Sequence, residues 1–373
     1  MIYVIFAAYK PNQAPTNRVL AIMKGFDELG VEARLVFLYP SAGCDRVEEG
    51  KYKNVKVEYL WDKRKGHNKY YKFLCSFIDA RRFAKTLKAG DSVLLFGGGG
   101  YAHYFFGKEG VKVYQERTEH PAVNPLELPY MQKRYLEHVK DFDGMFVISY
   151  GLKRVMEEYG AKNVHVVNML VDSSRFEGLR KTSEEKYIAY CGTASNNKDG
   201  VDDLIKAFAI VAKSHPNVKL KIMGKAPSKD DESGNLKLVE QLGVQDKVEF
   251  TGIIPASEMP QVLKNATVVA LARPDSLQAQ CGFPTKLGEY LLSENPVVVT
   301  KVGDIPLFLR DKETALLSQE RNPEHFATKL AWALDNPEEA AEIGRKGAQV
   351  ALKEFNYLTE AKKIIDVIAD NKQ

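Results

Sequence analysis

Short β-branched apolar runs alternate with segments of helical period along this whole chain, and the alternation breaks only once. Residues 3–8, 32–38, 53–60, 92–96, 112–115 and 144–149 read as strands, with helices expected at 18–29, 70–87 and 128–140. A polar, irregular stretch at 168–185 follows and reads as a linker. Beyond it, strands at 187–191, 218–223, 248–251, 267–272 and 297–299 alternate with helices at 201–214, 235–242, 259–266 and 286–293, and further helices are expected at 323–334, 337–355 and 358–370. Apolar strands with no in-and-out alternation suit parallel sheets covered on both faces, and strand–helix alternation winds helices over both sides. The predicted fold class is α/β, with two doubly wound Rossmann-like domains facing across a cleft. Ligands of such sheets bind beyond the carboxyl ends of the strands.

A chain of 373 residues accommodates two domains of ordinary size. The opening run from Met1 to Tyr9 has no basic stretch ahead of it and reads as a strand, not a signal peptide. No apolar run approaches the roughly 18 residues of a membrane span. The four cysteines, Cys44, Cys75, Cys191 and Cys281, are scattered without a close pair, as expected of reduced thiols in a cytoplasmic protein. Charge is unevenly placed: residues 1–167 carry +7 and the remainder −3, which suggests an anionic partner for the first half. The segment 63–85 mixes cations with aromatics, including Lys63, Arg64, Lys65, Tyr70, Tyr71, Arg81, Arg82 and Lys85. It fits either peripheral attachment at the inner face of a membrane or an amphipathic helix whose aromatics belong to the core. No nucleic-acid module appears, so nucleic acid is not an expected partner.

The densest chemistry lies between Cys281 and Thr300. A loop bearing Gly282 and Pro284 feeds a helix at Lys286, and Asn295-Pro296 stops that helix before a buried strand. A loop entering a helix N-terminus leaves backbone N–H groups for an anion, here those of Thr285 and Leu287, with Lys286 beside them. Glu289, one turn in, can accept hydrogen bonds from sugar hydroxyls. Phosphate donors next to a hydroxyl acceptor suit a nucleotide-sugar. Lys198 lies in a small polar loop after a strand, placed to meet phosphate, and Gly192 allows close backbone approach there. His120 follows a strand of the first half among Glu116, Arg117 and Glu119, which suggests a polar cleft. Gly97–Gly100 also follows a strand, but it lacks the spacing of a dinucleotide-binding loop and reads better as a loop against which a substrate packs. Asp141 and Asp143 have the spacing of a metal-binding pair at the wrong end of their strand, and no zinc-type cluster, nucleophile elbow or phosphate loop is present. No metal and no cofactor are expected.

These residues resemble the retaining glycosyltransferases of the GT-B fold, group 1, also called family 4. The segment 282–306, GFPTKLGEYLLSENPVVVTKVGDIP, looks like the donor-site signature of that family, and NNKDGVDDL at 196–204 looks like its phosphate-lysine loop. The resemblance implies transfer of a hexose from a UDP- or GDP-sugar to an acceptor hydroxyl with retention, the acceptor being a glycan or a protein-linked or lipid-linked sugar. It implies an acceptor-binding domain at 1–167, a nucleotide-sugar domain at 168–355, and a last helix, 356–373, crossing back to the first domain. By similarity Lys198 binds the diphosphate, Glu289 the ribose, and His120 lies near the transferred sugar; the nucleobase pocket falls at Gly224, Lys225, Ile253 and Ile254. The run Gln280, Cys281, Gly282, Phe283, Pro284, Thr285, Lys286 and Leu287 would line the donor. Two positions depart from the family. Cys281 stands where the family has a first glutamate eight positions before the second, and Thr193 stands where it often has an arginine five before the lysine. Arg273, Asp275, Gln278 and Gln280 are the nearby candidates to substitute. The departures keep open a non-catalytic sugar-nucleotide-binding subunit, and the fold keeps open a sugar-nucleotide epimerase.

Overall fold

The computed structural model describes residues 1–11, 13–38, 46–60, 69–97, 99–123 and 128–370, with backbone alone at 69–73 and 99. The chain forms two compact units, one of residues 1–170 with the last helix and one from Val171 to Asn356. The first unit is a seven-stranded sheet of β1 (Ile2–Phe6), β2 (Ala33–Phe37), β3 (Val55–Tyr59), β4 (Ser92–Phe96), β5 (Lys112–Arg117), β6 (Gly144–Val147) and β7 (Val164–Val166), in the order β3-β2-β1-β4-β5-β6-β7. The second is a six-stranded sheet of β8 (Tyr187–Cys191), β9 (Lys219–Met223), β10 (Val248–Gly252), β11 (Val268–Leu271), β12 (Val297–Thr300) and β13 (Leu316–Ser318), in the order β10-β9-β8-β11-β12-β13. The strand pairings within both sheets are parallel. Each order reverses direction once, between β1 and β4 and between β8 and β11, and such reversals open the crevice in which doubly wound sheets bind ligands.

Burial follows from the sequence. The central strands β4, β8, β11 and β12 are buried at every position. Elements absent from the sequence-based expectation are the short ones. β7 and β13 have three residues each, too few for a periodic signal. The helix Tyr150–Glu158 was also unexpected, although its cue is present: Ser149 caps it by accepting the Leu152 N–H at 3.0 Å, and so ends the preceding strand early.

The last helix, Tyr357–Asp370, belongs to the first unit and packs on the helix Ala14–Glu28. Ala361, Ile364 and Ile368 join Ile22, Met23 and Phe26 in one core. The Tyr357 hydroxyl reaches Glu28 at 2.8 Å, and the Lys24 ammonium lies 4.6 Å from the Tyr357 ring centre. Buried Glu360 accepts the Asn168 N–H at 2.9 Å, which fixes the chain just before it leaves the unit.

Glu116 and Arg117 do not open a polar cleft. Both are buried: Arg18 claims the Glu116 carboxylate, and Arg117 lies over the Tyr135 ring and donates to the Glu119 carbonyl. Arg18 Nε donates to Glu116 at 2.5 Å, while its Nη1 and Nη2 donate to the carbonyls of Asn168 and Val167 at 2.7 and 2.8 Å. One guanidinium thus ties the first helix, β5 and the exit of β7 together. Burial pushes the Glu116 carboxyl above its ordinary value, and Arg18 and then Arg117 pull it back. Arg18→Met should therefore cost about 3–5 kcal/mol at neutral pH by leaving a buried charge unpaired. A carboxyl whose folded pKa is raised loses stability once ionised, so the cost should shrink as pH falls from 7.5 toward 5. Urea unfolding at several pH values checks this, and a pH-independent cost would contradict it.

Candidate functional site

The site is built where the second sheet parts. β11 pairs with β8 only at Val268 with Ile188 and Val269 with Ala189, so the last two residues of β8 lose that neighbour. The hydroxyl of Tyr290, from the helix Lys286–Leu292, fills the gap: it accepts the Cys191 N–H at 2.7 Å and donates to the Cys191 carbonyl at 2.8 Å. Burial holds the Tyr290 hydroxyl pKa well above its ordinary value, so the proton stays. This docking pins the helix to the strand end and so places its neighbours Lys286 and Glu289.

Lys286, one turn before Tyr290, points inward. Its ammonium forms an ion pair with Asp199 Oδ2, donates to the Tyr190 hydroxyl at 3.1 Å and lies 4.8 Å from the Tyr190 ring centre. The Tyr190 hydroxyl in turn lies 2.7 Å from Asp199 Oδ2. Asp199 is 1% exposed. It ends the single turn Asn196–Asp199, whose start Ser195 caps by accepting the Lys198 N–H at 3.2 Å. Burial alone would raise the Asp199 pKa, but the Lys286 ammonium, hydrogen bonds from Lys286 and Tyr190, and the Arg273 charge hold it below the usual carboxylate value. Burial lowers the Lys286 pKa, Asp199 opposes that, and the positive charges of Lys198 and Arg273 lower it further. Asp199 thus feels the charges of Lys286 and Arg273, and Lys286 those of Lys198 and Arg273. Positive side chains clustered in a low-dielectric crevice attract anions.

Two glycines make this closeness feasible. Gly192 after β8 has φ +149°, and a Cβ there would run into the end of the Lys286 side chain. Gly224 after β9 has φ +134°, and its Cβ would run into the Gly192 carbonyl. The structure thus brings together Gly192, Gly224, Lys198 and Lys286. It also links Lys225, whose carbonyl accepts the Ala194 N–H at 3.0 Å, to the loop that carries exposed Thr193.

Glu289 is half-buried and forms an ion pair with Arg175, from the short helix Ser173–Phe176. The other guanidinium nitrogen donates to the Ala256 carbonyl at 2.6 Å, in the loop that follows β10 and holds Ile253 and Ile254. Ile253 is 68% exposed.

Several expectations are corrected. The Leu287 N–H is not directed at an anion, because it donates to the Pro284 carbonyl at 2.9 Å. Gly282 does not serve a turn that needs glycine: its φ of −121° and ψ of 177° are extended backbone open to any residue. Phe283 is committed to a core cluster, with ring centres 5.6 Å from Phe308 and 5.5 Å from Phe355. Cys281 presents no surface thiol; it ends the short helix Leu277–Cys281 and is 3% exposed. Gly282 and Pro284 are buried as well. Gln280 and Thr285 are exposed, and Gln280 donates to Asp275 at 2.6 Å. Arg273 is 2% exposed and donates to the Gln278 carbonyl at 2.8 Å.

In the first unit, His120 is half-buried, and its Nδ1 accepts the Ala122 N–H at 3.1 Å. In the neutral ring the proton is therefore on Nε2. Gly97 leads into the 3-10 helix Gly99–Tyr104, and its carbonyl accepts from Gln115 at 3.1 Å. Asp141 pairs with His138 at 2.6 Å, and Asp143 with Lys112 at 3.1 Å and the Val113 N–H at 2.7 Å, so this acidic pair braces a strand entry. Cys44 and the segment 63–68 lie outside the described residues; Cys75, Cys191 and Cys281 are free thiols.

Residues 172–350 match the profile of the glycosyl transferases group 1 family. The second unit lies almost wholly within that match. It is similar to the D-inositol 3-phosphate glycosyltransferase of Segniliparus rotundus, at 29% identity over 44% of this chain and 35% of that protein. The chain spans between 35% and 50% of the lengths of the first curated relatives it matches. Over the whole chain the fold is that of the sucrose-phosphate synthase from Thermosynechococcus elongatus, with a TM-score of 0.77, 14% identity and coverage of 99% and 98%. The Anabaena protein HepE in complex with UDP gives a TM-score of 0.76 at 16% identity, covering 99% of each chain. Both units thus follow the GT-B architecture.

The candidate-site residues that sequence patterns did not reveal are Asp199, Tyr190, Tyr290 and Arg175. Asp199 adjoins Lys198 in a quotable motif, whereas Arg175 lies 114 residues from its partner and carries no local signal. Asp199→Ala should strand the Lys286 ammonium and cost about 3–5 kcal/mol, and adding Lys286→Met should recover most of that loss. Urea midpoints of the two variants measure it. A double variant no more stable than the single one would mean that the pair does not carry the strand end.

Proposed function

We propose that this chain is a hexosyltransferase that moves a sugar from a nucleoside diphosphate donor to an acceptor hydroxyl with retention of anomeric configuration. One observation carries the reading: Lys286 pairs with buried Asp199 at the glycine-lined strand ends, beside the turn that carries Lys198 and one helical turn from Glu289. The leaving group of such a donor is a diphosphate, whose charge grows as the glycosidic bond breaks. Fixed cations in a partly desolvated crevice stabilise that charge in the transition state more than in the ground state. Lys198 is the cation assigned to the diphosphate, and the carboxylate of Glu289 accepts hydroxyls of the ribose. His120 Nε2–H is assigned to the region of the transferred sugar. No side-chain nucleophile is assigned, so the acceptor attacks on the face that the leaving group vacates.

This mechanism calls on no metal, and turnover should persist in EDTA. UDP- and GDP-sugars are the donors to test, since the Anabaena structure contains UDP. Candidate acceptors are glycans and protein-linked or lipid-linked sugars. Lys198→Ala should lower turnover and nucleotide affinity together, by about tenfold or more for the loss of one charge-assisted contact. The second reading, a non-catalytic nucleotide-sugar-binding subunit, is favoured by the buried thiol at Cys281, where relatives place a carboxylate. A panel of donors separates the readings. Hydrolysis or transfer supports the enzyme, donor conversion without an acceptor supports an epimerase, and a nucleotide-induced rise in Tm with neither sinks the enzyme.

We further propose that the 63–85 segment meets an anionic membrane surface. On the helix Lys69–Ala84, Leu74 and Ile78 are exposed one turn apart, at 58% and 42%, and Arg81 and Arg82 follow them. No helix among the described residues is long and apolar enough to cross a membrane, so this contact would be peripheral. Reversing Arg81, Arg82 and Lys85 to glutamate should abolish co-sedimentation with vesicles containing anionic lipid, and retained binding would refute the contact.

A further inference from the structure

Glu289 has a partner that none of its motif neighbours predicts. Arg175 stands four residues after the start of the second unit, yet its guanidinium reaches two other elements of that unit. One nitrogen pairs with Glu289 Oε1 in the helix Lys286–Leu292, and another donates to the Ala256 carbonyl in the loop after β10. The short helix that carries Arg175 is itself anchored. Asp172 caps it by accepting the Ser174 N–H at 3.2 Å, and Gln261 and Asn265 hold the following chain through the Arg180 carbonyl and the Thr182 N–H at 2.9 and 2.8 Å. The guanidinium is therefore a fixed fork, not a mobile surface charge. Its side chain is about one-third exposed, as is that of Glu289, so the pair lies at an accessible face and not in the core.

The geometry points to Arg175 as a positioning residue for the nucleoside end of the donor, an inference that rests on the assignment of Glu289 to the ribose. An ionised carboxylate has about four lone-pair sites, so an arginine on Oε1 orients the group without exhausting it. With Oε1 held, Oε2 is presented in one direction to the adjacent ribose hydroxyls. The second contact fixes the loop of Ile253 and Ile254, which is assigned to the base, against that same carboxylate. Removing Arg175 frees both at once, while the cations around Asp199 that serve the phosphates are untouched. Lysine cannot replace it, since a single ammonium cannot span the two acceptors as the planar fork does.

The test uses the full chain and three probes: the ribonucleoside diphosphate that binds more tightly, UDP or GDP; its 2′-deoxy analogue; and inorganic pyrophosphate. Titration calorimetry gives the affinity of each for wild type, Arg175→Ala, Arg175→Lys and Glu289→Ala. Arg175→Ala should weaken the ribonucleotide by about tenfold and bring the ribo-to-deoxy preference close to one, as Glu289→Ala does, with pyrophosphate affinity within about twofold of wild type. Arg175→Lys should resemble the alanine variant, and it serves where the alanine variant melts early. If Glu289→Ala loses the ribo-to-deoxy preference and both Arg175 variants keep it, the inference fails and the ribose assignment stands. If Glu289→Ala keeps the preference, the ribose assignment fails and takes the inference with it. Equal loss of ribonucleotide and pyrophosphate binding in the Arg175 variants would make Arg175 a general support of the unit and overturn its positioning role.

Discussion

The candidate site depends on one buried ion pair. Lys286 and Asp199 come from segments 87 residues apart, and their contact locks the helix after the signature loop onto the turn that carries Lys198. Neither partner is stable there alone. A buried ammonium or carboxylate without its counter-charge costs several kcal/mol, whereas here Lys286 and the Tyr190 hydroxyl both meet Asp199 at Oδ2. The glycine at 192 follows from the same constraint, because the lysine passes through the space a side chain would fill. So the strand ends, the turn that carries Lys198 and the helix bearing Glu289 form one mechanical unit.

That unit is set among further positive charge. Arg273 acts on both Asp199 and Lys286, and Lys198 acts on Lys286. The usual family arginine is absent at Thr193, yet Arg273, just after β11, acts on the same carboxylate and lysine. A cation can be supplied from either side of the sheet's switch point, because both strand ends border one crevice. This is the physical sense in which a departure from a family pattern can be compensated from a distant part of the chain. The signature run itself serves the core more than the ligand: Phe283 packs on Phe308 and Phe355, and Cys281 is buried.

In the first unit the same principle serves stability rather than chemistry. Arg18 draws Glu116 inward, and the charged run 116–119 that suggested a cleft becomes a buried brace. His120 keeps a defined tautomer through the Ala122 N–H, a local contact within one loop. Both cases show that the identity of a polar residue is local information, while its burial is decided by a partner. Arg18 is 98 residues from Glu116, and no short-range pattern joins them.

The fold was legible in the sequence because strand–helix alternation is a local, periodic signal repeated across both halves. The resemblance to group 1 glycosyltransferases was legible because 196–204 and 282–306 place their chemical residues within short, contiguous motifs. The short elements β7 and β13 escaped, since three residues carry no period. The sequence alone determined the doubly wound class and the two loops that meet at the second sheet's switch point, and it nominated Lys198 and Glu289 as their chemical residues. Only the tertiary structure decided how the charges around them are paired. It turned Lys286 inward to Asp199, closed the Leu287 N–H on Pro284, and set Arg175 on Glu289. The two ion pairs depend on contacts between segments 87 and 114 residues apart, where burial and pairing outweigh any propensity that a local stretch of chain can express.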